Sequence, residues 1–168
     1  MSVVILMGSD SDLDQVRPCV QVLKDFGIPS TVKVLSAHRT PSALHDFIEE
    51  IDSKTSVYIC AAGGAAHLAG VVASLSPKPV LAIPILMSTL GGADSLYSMV
   101  QMPGGVPVGC LGIGKAGAKN AGLLAAQILS LNDAKLAEKY NAFRADQAKQ
   151  VAAKDVKLQS KLKEENLL

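Results

Sequence analysis

The chain lacks three things: a charge excess, a long hydrophobic run and paired cysteines. Sixteen Lys and Arg face fifteen Asp and Glu for a formal charge of +1, so the sequence shows no basic surface large enough to imply nucleic acid or an anionic membrane. A small polar ligand fits better. No apolar stretch approaches the ~20 residues of a membrane span, and the start MSVVILMG has neither a basic region nor a cleavage site. The expectation is a soluble, cytoplasmic protein. Cys19, Cys60 and Cys110 are odd in number, far apart and without a Cys-x-x-Cys spacing, which argues for reduced filler thiols over a disulfide frame or a zinc site. The three histidines include no ligand-spaced pair, and this too speaks against a metal.

What is present is a repeated strand, loop and helix. VVILM (3–7) is a β-rich run that stops at Gly8; GSDSD then leads into a helical pattern with Val16, Val20 and Leu23, bent or delayed by Pro18 and closed by Gly27 and Pro29. TVKVL (31–35) is the second strand and SAHRTP its loop. The helix SALHDFIEEI follows, with Ser42 or Thr40 as its cap. SVYICAA (56–62), PVLAIPI (79–85) and VPVGCLGIG (106–114) supply three more strands, and AKNAGLLAAQILSL a closing helix. The chain is long enough for one domain and contains no linker. Strands apolar on both faces and alternating with helices predict an α/β fold with a parallel sheet covered on both sides.

From Asn132 the composition turns charged, with Leu136, Tyr140, Phe143 and Val151 at helical spacing. The organisation expected is therefore an α/β domain over 1–131 and a helical extension of it over 132–168. At least part of that apolar stripe is expected on another subunit, the alternative being a helix folded back on its own domain.

Ligands of open α/β sheets bind at the carboxyl ends of the strands, and the first three loops there are polar or glycine-rich. Gly8, Ser9 and Ser11 can offer donors to a phosphate at a helix start, or merely cap the helix. Asp12 suits ribose hydroxyls. Arg39 suits a phosphate or carboxylate, or else a surface ion pair. His38 can exchange a proton near neutrality, or serve only as a structural loop residue. His67 follows Gly63, Gly64, Ala65 and Ala66, residues small enough to let a ligand reach the backbone; it can orient a substrate or simply bond at a helix start. His45 lies within a helix, away from any strand end, and reads as structural.

Nine of the fourteen glycines fall between Gly91 and Gly122, where two motifs mislead. GCLGIGKA places Ala116 where a P-loop needs the hydroxyl that ligates magnesium, which leaves little for Lys115 to do. GIGKAG has the dinucleotide-binding spacing but follows the last strand, and the nearest acidic residue, Asp133, lies beyond the helix. Ser95 and Ser98 have no nucleophile elbow and no evident base.

MGSDSD, SAHRTP, AGGAAHLAG, GGADSLYSMVQMPGGVPV and IGKAGAKNAGLLAAQIL, in this order and spacing over about residues 3–131, resemble the 5-(carboxyamino)imidazole ribonucleotide mutases of purine biosynthesis. The tail from Asn132 matches only loosely. The resemblance implies a three-layer, flavodoxin-like subunit, an octamer whose tail helices reach neighbouring subunits, and an isomerase that uses no cofactor or metal. Its substrate would be a small ribonucleotide, whose carboxylate moves from the exocyclic nitrogen of an aminoimidazole to the adjacent ring carbon. By that resemblance His38 carries the proton, Ser9 and Arg39 hold phosphate and Asp12 binds ribose, while Ser11, Ser36, Gly64, Ala65, His67 and Leu68 line the rest. A related branch carboxylates aminoimidazole ribonucleotide with free carbon dioxide. AHRTP and GGAAHL favour the mutase, because that branch tends to carry a lysine after the loop-two histidine and a different third loop. Ala69 departs from the mutase pattern, which commonly has proline after His-Leu. A nucleotide-binding module without chemistry is the alternative from another class.

Overall fold

VVILM forms strand β1 (Val3–Met7) with all five side chains buried, and β3 (Val57–Ala62) and β4 (Val80–Pro84) are buried throughout as well. Fully burying a side chain such as Ile5 or Ile59 contributes roughly 1.5–3 kcal/mol, so these three strands carry the sheet. The computed structural model describes residues 2–87 and 89–168; Met1 and the Ser88 of LMSTLGG lie outside them. The chain divides into two compact units, with boundaries at Leu129 and Ser130.

In the first unit β2 (Ser30–Val34) and β5 (Gly109–Cys110) complete a parallel sheet of order β2-β1-β3-β4-β5. The helices are α1 (Leu13–Phe26), α2 (Pro41–Ile51), α3 (Leu68–Leu75), α4 (Ala93–Val100) and α5 (Gly114–Ser130). Alternation along the strands sends Val4, Leu6, Tyr58, Cys60 and Ala82 to one face, where Leu44 and Ile48 of α2, Val72 of α3 and Met99 of α4 pack with them. The opposite face takes α1 and α5, which approach so closely that a Cβ on Gly122 would lie 3.0 Å from the Cys19 carbonyl oxygen. This is the three-layer, flavodoxin-like arrangement.

Three local expectations change. The second strand is exposed along its whole length, with Val32 39% and Val34 46% accessible, because it is the sheet edge; Lys33 lies 4.2 Å over the Phe47 ring and ties the edge to α2. The fifth strand contributes only Gly109 and Cys110 to the ladder, since Pro107 has no N–H to donate and the chain turns at Gly105 with φ 98°. Helix α2 starts at Pro41 without a side-chain cap. The Thr40 hydroxyl turns back to the Ser36 carbonyl instead, at 3.1 Å. Helix α1 follows a short 3-10 turn at Asp10–Asp12, starts at Leu13 and runs through Pro18, so the proline does not delay its start.

The second unit is dominated by one helix, α6 (Ala134–Glu164), capped by Asp133, whose carboxylate accepts from the Leu136 N–H at 3.1 Å. Leu136 is buried, Tyr140 and Phe143 are half-buried with their rings 6.1 Å apart, and Val151 is 66% exposed.

GIGKAG is explained by packing. Gly114 has φ +71°, and a Cβ on Gly117 would fall 1.4 Å from the Gly112 carbonyl oxygen, an overlap the start of α5 cannot absorb in place. Gly117→Ala is expected to lower stability by about 3 kcal/mol or more, at or beyond the upper end of overpacking costs. Gly104→Ala, where nothing lies within 4 Å, should stay within about 0.5 kcal/mol of the parent. Urea denaturation midpoints of the two variants check this.

Candidate active site

The strand order reverses at β1, which pairs with β2 on one side and β3 on the other, so the three loops that follow them open onto one crevice. The result is a cleft of about 390 Å³ at the carboxyl edge of the sheet, within the size range of small-ligand sites. It is lined by Ser9, Ser11, Asp12, Ser36, His38, Arg39, Ala65, His67 and Leu68, together with Gly8, Ala37, Ala62, Gly63 and Met87.

Loop one is held by its own polar groups. Ser9 caps the 3-10 turn: its Oγ accepts from the Ser11 N–H at 3.3 Å, the Ser11 hydroxyl lies 2.8 Å from it, and the Ser9 N–H donates to the Asp12 carboxylate at 3.2 Å. This reciprocal capping box leaves Asp12 only 6% exposed. Burial pushes its carboxyl above the usual 3.8; hydrogen bonds from the Ser9 N–H and the Ser11 side chain oppose the shift, Asp10 adds to it and Arg39 opposes it.

Loop two closes on itself. The Ser36 N–H donates to the Thr40 hydroxyl at 3.0 Å, the Thr40 N–H to the Ser36 carbonyl at 2.9 Å, and the Arg39 N–H to the Ser36 hydroxyl at 3.2 Å. The tight turn presents Arg39 to loop one, where its guanidinium donates to the Gly8 carbonyl at 2.8 Å. An arginine holding one carbonyl keeps further donors in the same plane for an anion.

His38 reaches loop three: its Nε2 lies 2.9 Å from Nδ1 of His67, with the rings perpendicular at 88°. One ring must donate and the other accept, so the contact can hold a proton between two loops and pass it along. His67 stands at the start of α3 without capping it through its side chain; its ring serves His38.

Gly64 does not line the cleft. Its N–H donates to the Ser95 hydroxyl at 3.0 Å, and Ser95, fully buried, donates in turn to the Ile85 carbonyl at 3.0 Å. Ser95 thus braces loop three against the end of β4. His45 lies on α2, exposed and outside this cleft, and Lys115 is exposed in α5. Burial raises all three thiols, that of Cys19 to about 12, so they stay protonated and inert. Among the described residues no His, Cys, Asp and Glu group of three or more is placed to hold a metal ion, and no helix is long and apolar enough to cross a membrane.

Thr40 and Ser95 brace loops rather than face a ligand, and Met87 joins the cleft wall only through the fold, so none of the three carries a local sequence signal. His38 and His67 follow strands on either side of β1, and no local pattern signals that their rings meet.

Fold and cleft together define a flavodoxin-like α/β protein with a polar, histidine-bearing crevice at its topological switch point. A family model described as AIR carboxylase matches residues 2–150, and the chain belongs to that family. It is 47% identical over 152 residues to a Vibrio cholerae N5-carboxyaminoimidazole ribonucleotide mutase, with 90% of this chain and 94% of that protein covered. It is 47% identical over 150 residues to the mutase of Escherichia coli K12, covering 89% of each chain. The crystal structure of Treponema denticola PurE superposes with a TM-score of 0.85 at 32% identity, covering 93% of this chain and 97% of that one.

Because the folded state raises the Asp12 pKa, this group supports the fold fully only below about 3.8, and that contribution is lost as pH rises through the higher folded value. Asp12→Asn keeps an acceptor for the Ser9 N–H without the buried charge. Its Tm should exceed the parent's at pH 7, and the gap should close toward about pH 3. Thermal melts across that range check it; a gap independent of pH would contradict it.

Proposed function

We propose that the chain is an N5-carboxyaminoimidazole ribonucleotide mutase of de novo purine biosynthesis. The observation that carries this reading is the 2.9 Å His38–His67 contact, set in one cleft with Arg39 and the hydroxyls of Ser9 and Ser11. Mutase relatives at 47% identity over nine-tenths of the chain support it.

The reaction is an isomerisation, so atoms balance without an external group. The carbon–nitrogen bond of the carbamate breaks and its electron pair stays on nitrogen. Carbon dioxide is released inside the cleft, and the electron-rich ring carbon attacks it. Nitrogen gains one proton and the ring carbon loses one, so a single residue able to give and take back a proton suffices. His38 does this, with His67 beside it to orient the ring and relay the proton. Ser9, Ser11 and Arg39 bind the substrate phosphate through hydroxyl and guanidinium donors. Asp12 accepts from the ribose hydroxyls. Ser36, Ala65 and Leu68 shape the wall around the imidazole, and Gly64 holds loop three in place. Small side chains here leave room for substrate and carbon dioxide but little for water.

The protein acts in the cytoplasm as a homo-octamer. Exposed Leu90, Tyr97 and Val100, at 61%, 63% and 49%, supply apolar surface that a second copy can cover, and Val151, Val156 and Leu158 of α6 supply more; the number eight comes from the family resemblance. Sedimentation equilibrium should return eight times the 17.4 kDa chain mass, and a monomer at micromolar concentration would refute self-association.

His38→Asn should retain substrate binding within a few-fold and lose turnover by ~100-fold or more, the scale of acid–base catalysis. Turnover retained in this variant would remove His38 from the chemistry. Offering the parent protein the carbamate, and separately aminoimidazole ribonucleotide with bicarbonate, distinguishes the mutase from the direct carboxylase. Efficient use of the second pair alone would overturn the mutase reading, and turnover of neither would favour a binding module.

A further inference from the structure

Gln15 lies half-buried in the first turn of α1, three residues after Asp12. Its Oε1 accepts the Leu86 N–H at 2.8 Å and its Nε2 donates to the Leu86 carbonyl at 3.2 Å. Both polar groups of one residue are therefore taken by a single side chain 71 positions away. The β3–β4 ladder reaches only Ile85, whose N–H donates to the Ala62 carbonyl at 3.0 Å. Just beyond it, Leu86 and Met87 are 55% and 43% exposed, so burial does little to hold them and the amide clamp supplies what the core does not.

The clamped segment bears on the cleft. Met87 is part of its wall and lies directly on Gly63, where a Cβ would come within 2.7 Å of the Met87 sulfur. On the far side of the clamp Gly114 leaves clearance: a Cβ there would stand 3.3 Å from the Gln15 Oε1. Gln15 thus ties the helix that follows the phosphate loop to the apolar wall opposite it.

We infer that Gln15 is a positioning residue, which through Leu86 keeps the Met87 wall against Gly63 and so retains carbon dioxide between its release and recapture. This inference rests on the mutase reading. Gln15 touches no reacting atom, so its loss should leave substrate KM within about twofold while letting the freed gas exchange with solvent.

The test runs the carbamate forward in ¹³C-bicarbonate with carbonic anhydrase and measures label in the product carboxylate by mass spectrometry. The parent protein should keep most of its unlabelled carboxylate. Gln15→Met, similar in size but unable to make either bond, should raise label incorporation about tenfold, the scale of two lost hydrogen bonds. Gln15→Glu keeps the bond from the Leu86 N–H and loses the one to the Leu86 carbonyl, so its label incorporation should fall between the parent and Gln15→Met. Lower Tm with label retention equal to the parent's would make Gln15 merely structural and overturn the inference. A parent protein that already equilibrates fully with solvent label, or leaves the carbamate untouched, would instead overturn the mutase reading.

Discussion

The structure depends on the pairing of β1 with strands on both sides in one register. Met7 sits opposite Val34 of β2 and Ala61 of β3, so three chain segments leave the sheet at the same level. Parallel strands require long crossovers, and the crossover helices therefore depart from a shared edge. Everything polar in the site hangs from that edge. A register slip by one residue would turn the buried side chains of β1 to the wrong face and offset the loops against one another.

Given that frame, each loop is tied first by its own short polar residues, and what these ties leave over is the site. Ser9 with Asp12, and Ser36 with Thr40, use their side chains to complete backbone groups that no strand or helix satisfies. The longer side chains, Arg39 and His38, then reach across to other loops, Arg39 while its Nε also donates to the Ser36 hydroxyl at 3.5 Å. Short residues settle the backbone while long ones bridge, and this division of labour makes the cleft preorganised with few bulky groups inside it. The cost falls on Asp12, a carboxylate kept out of water to complete a turn and line a cleft at once.

The same economy accounts for the glycine-rich half. Gly112, Gly114 and Gly117 resemble a nucleotide motif, yet their spacing serves the close start of α5 and the clearance around Gln15. Ser95, which resembled an unpartnered nucleophile, is fully bonded between loop three and β4. In both cases a sequence pattern that can hold a ligand holds backbone instead, because tight helix and loop packing needs the same small or hydroxyl-bearing residues.

Periodicity and punctuation alone made the strands, the parallel α/β class and the three polar loops legible, since alternating apolar runs between Gly and Pro have few other ways to bury themselves. Motif order brought the family and the candidate residues within reach. The shortness of β5 and the exposure of β2 were not legible, because both depend on position in the sheet and not on composition. Nor was the His38–His67 contact, or the Gln15 hold on Leu86, separated by 29 and 71 residues. Local sequence determined which groups stand at the strand ends; only the tertiary structure decided which of them meet, because side chains far apart in the chain come within hydrogen-bonding distance only after the sheet has set the order of its strands.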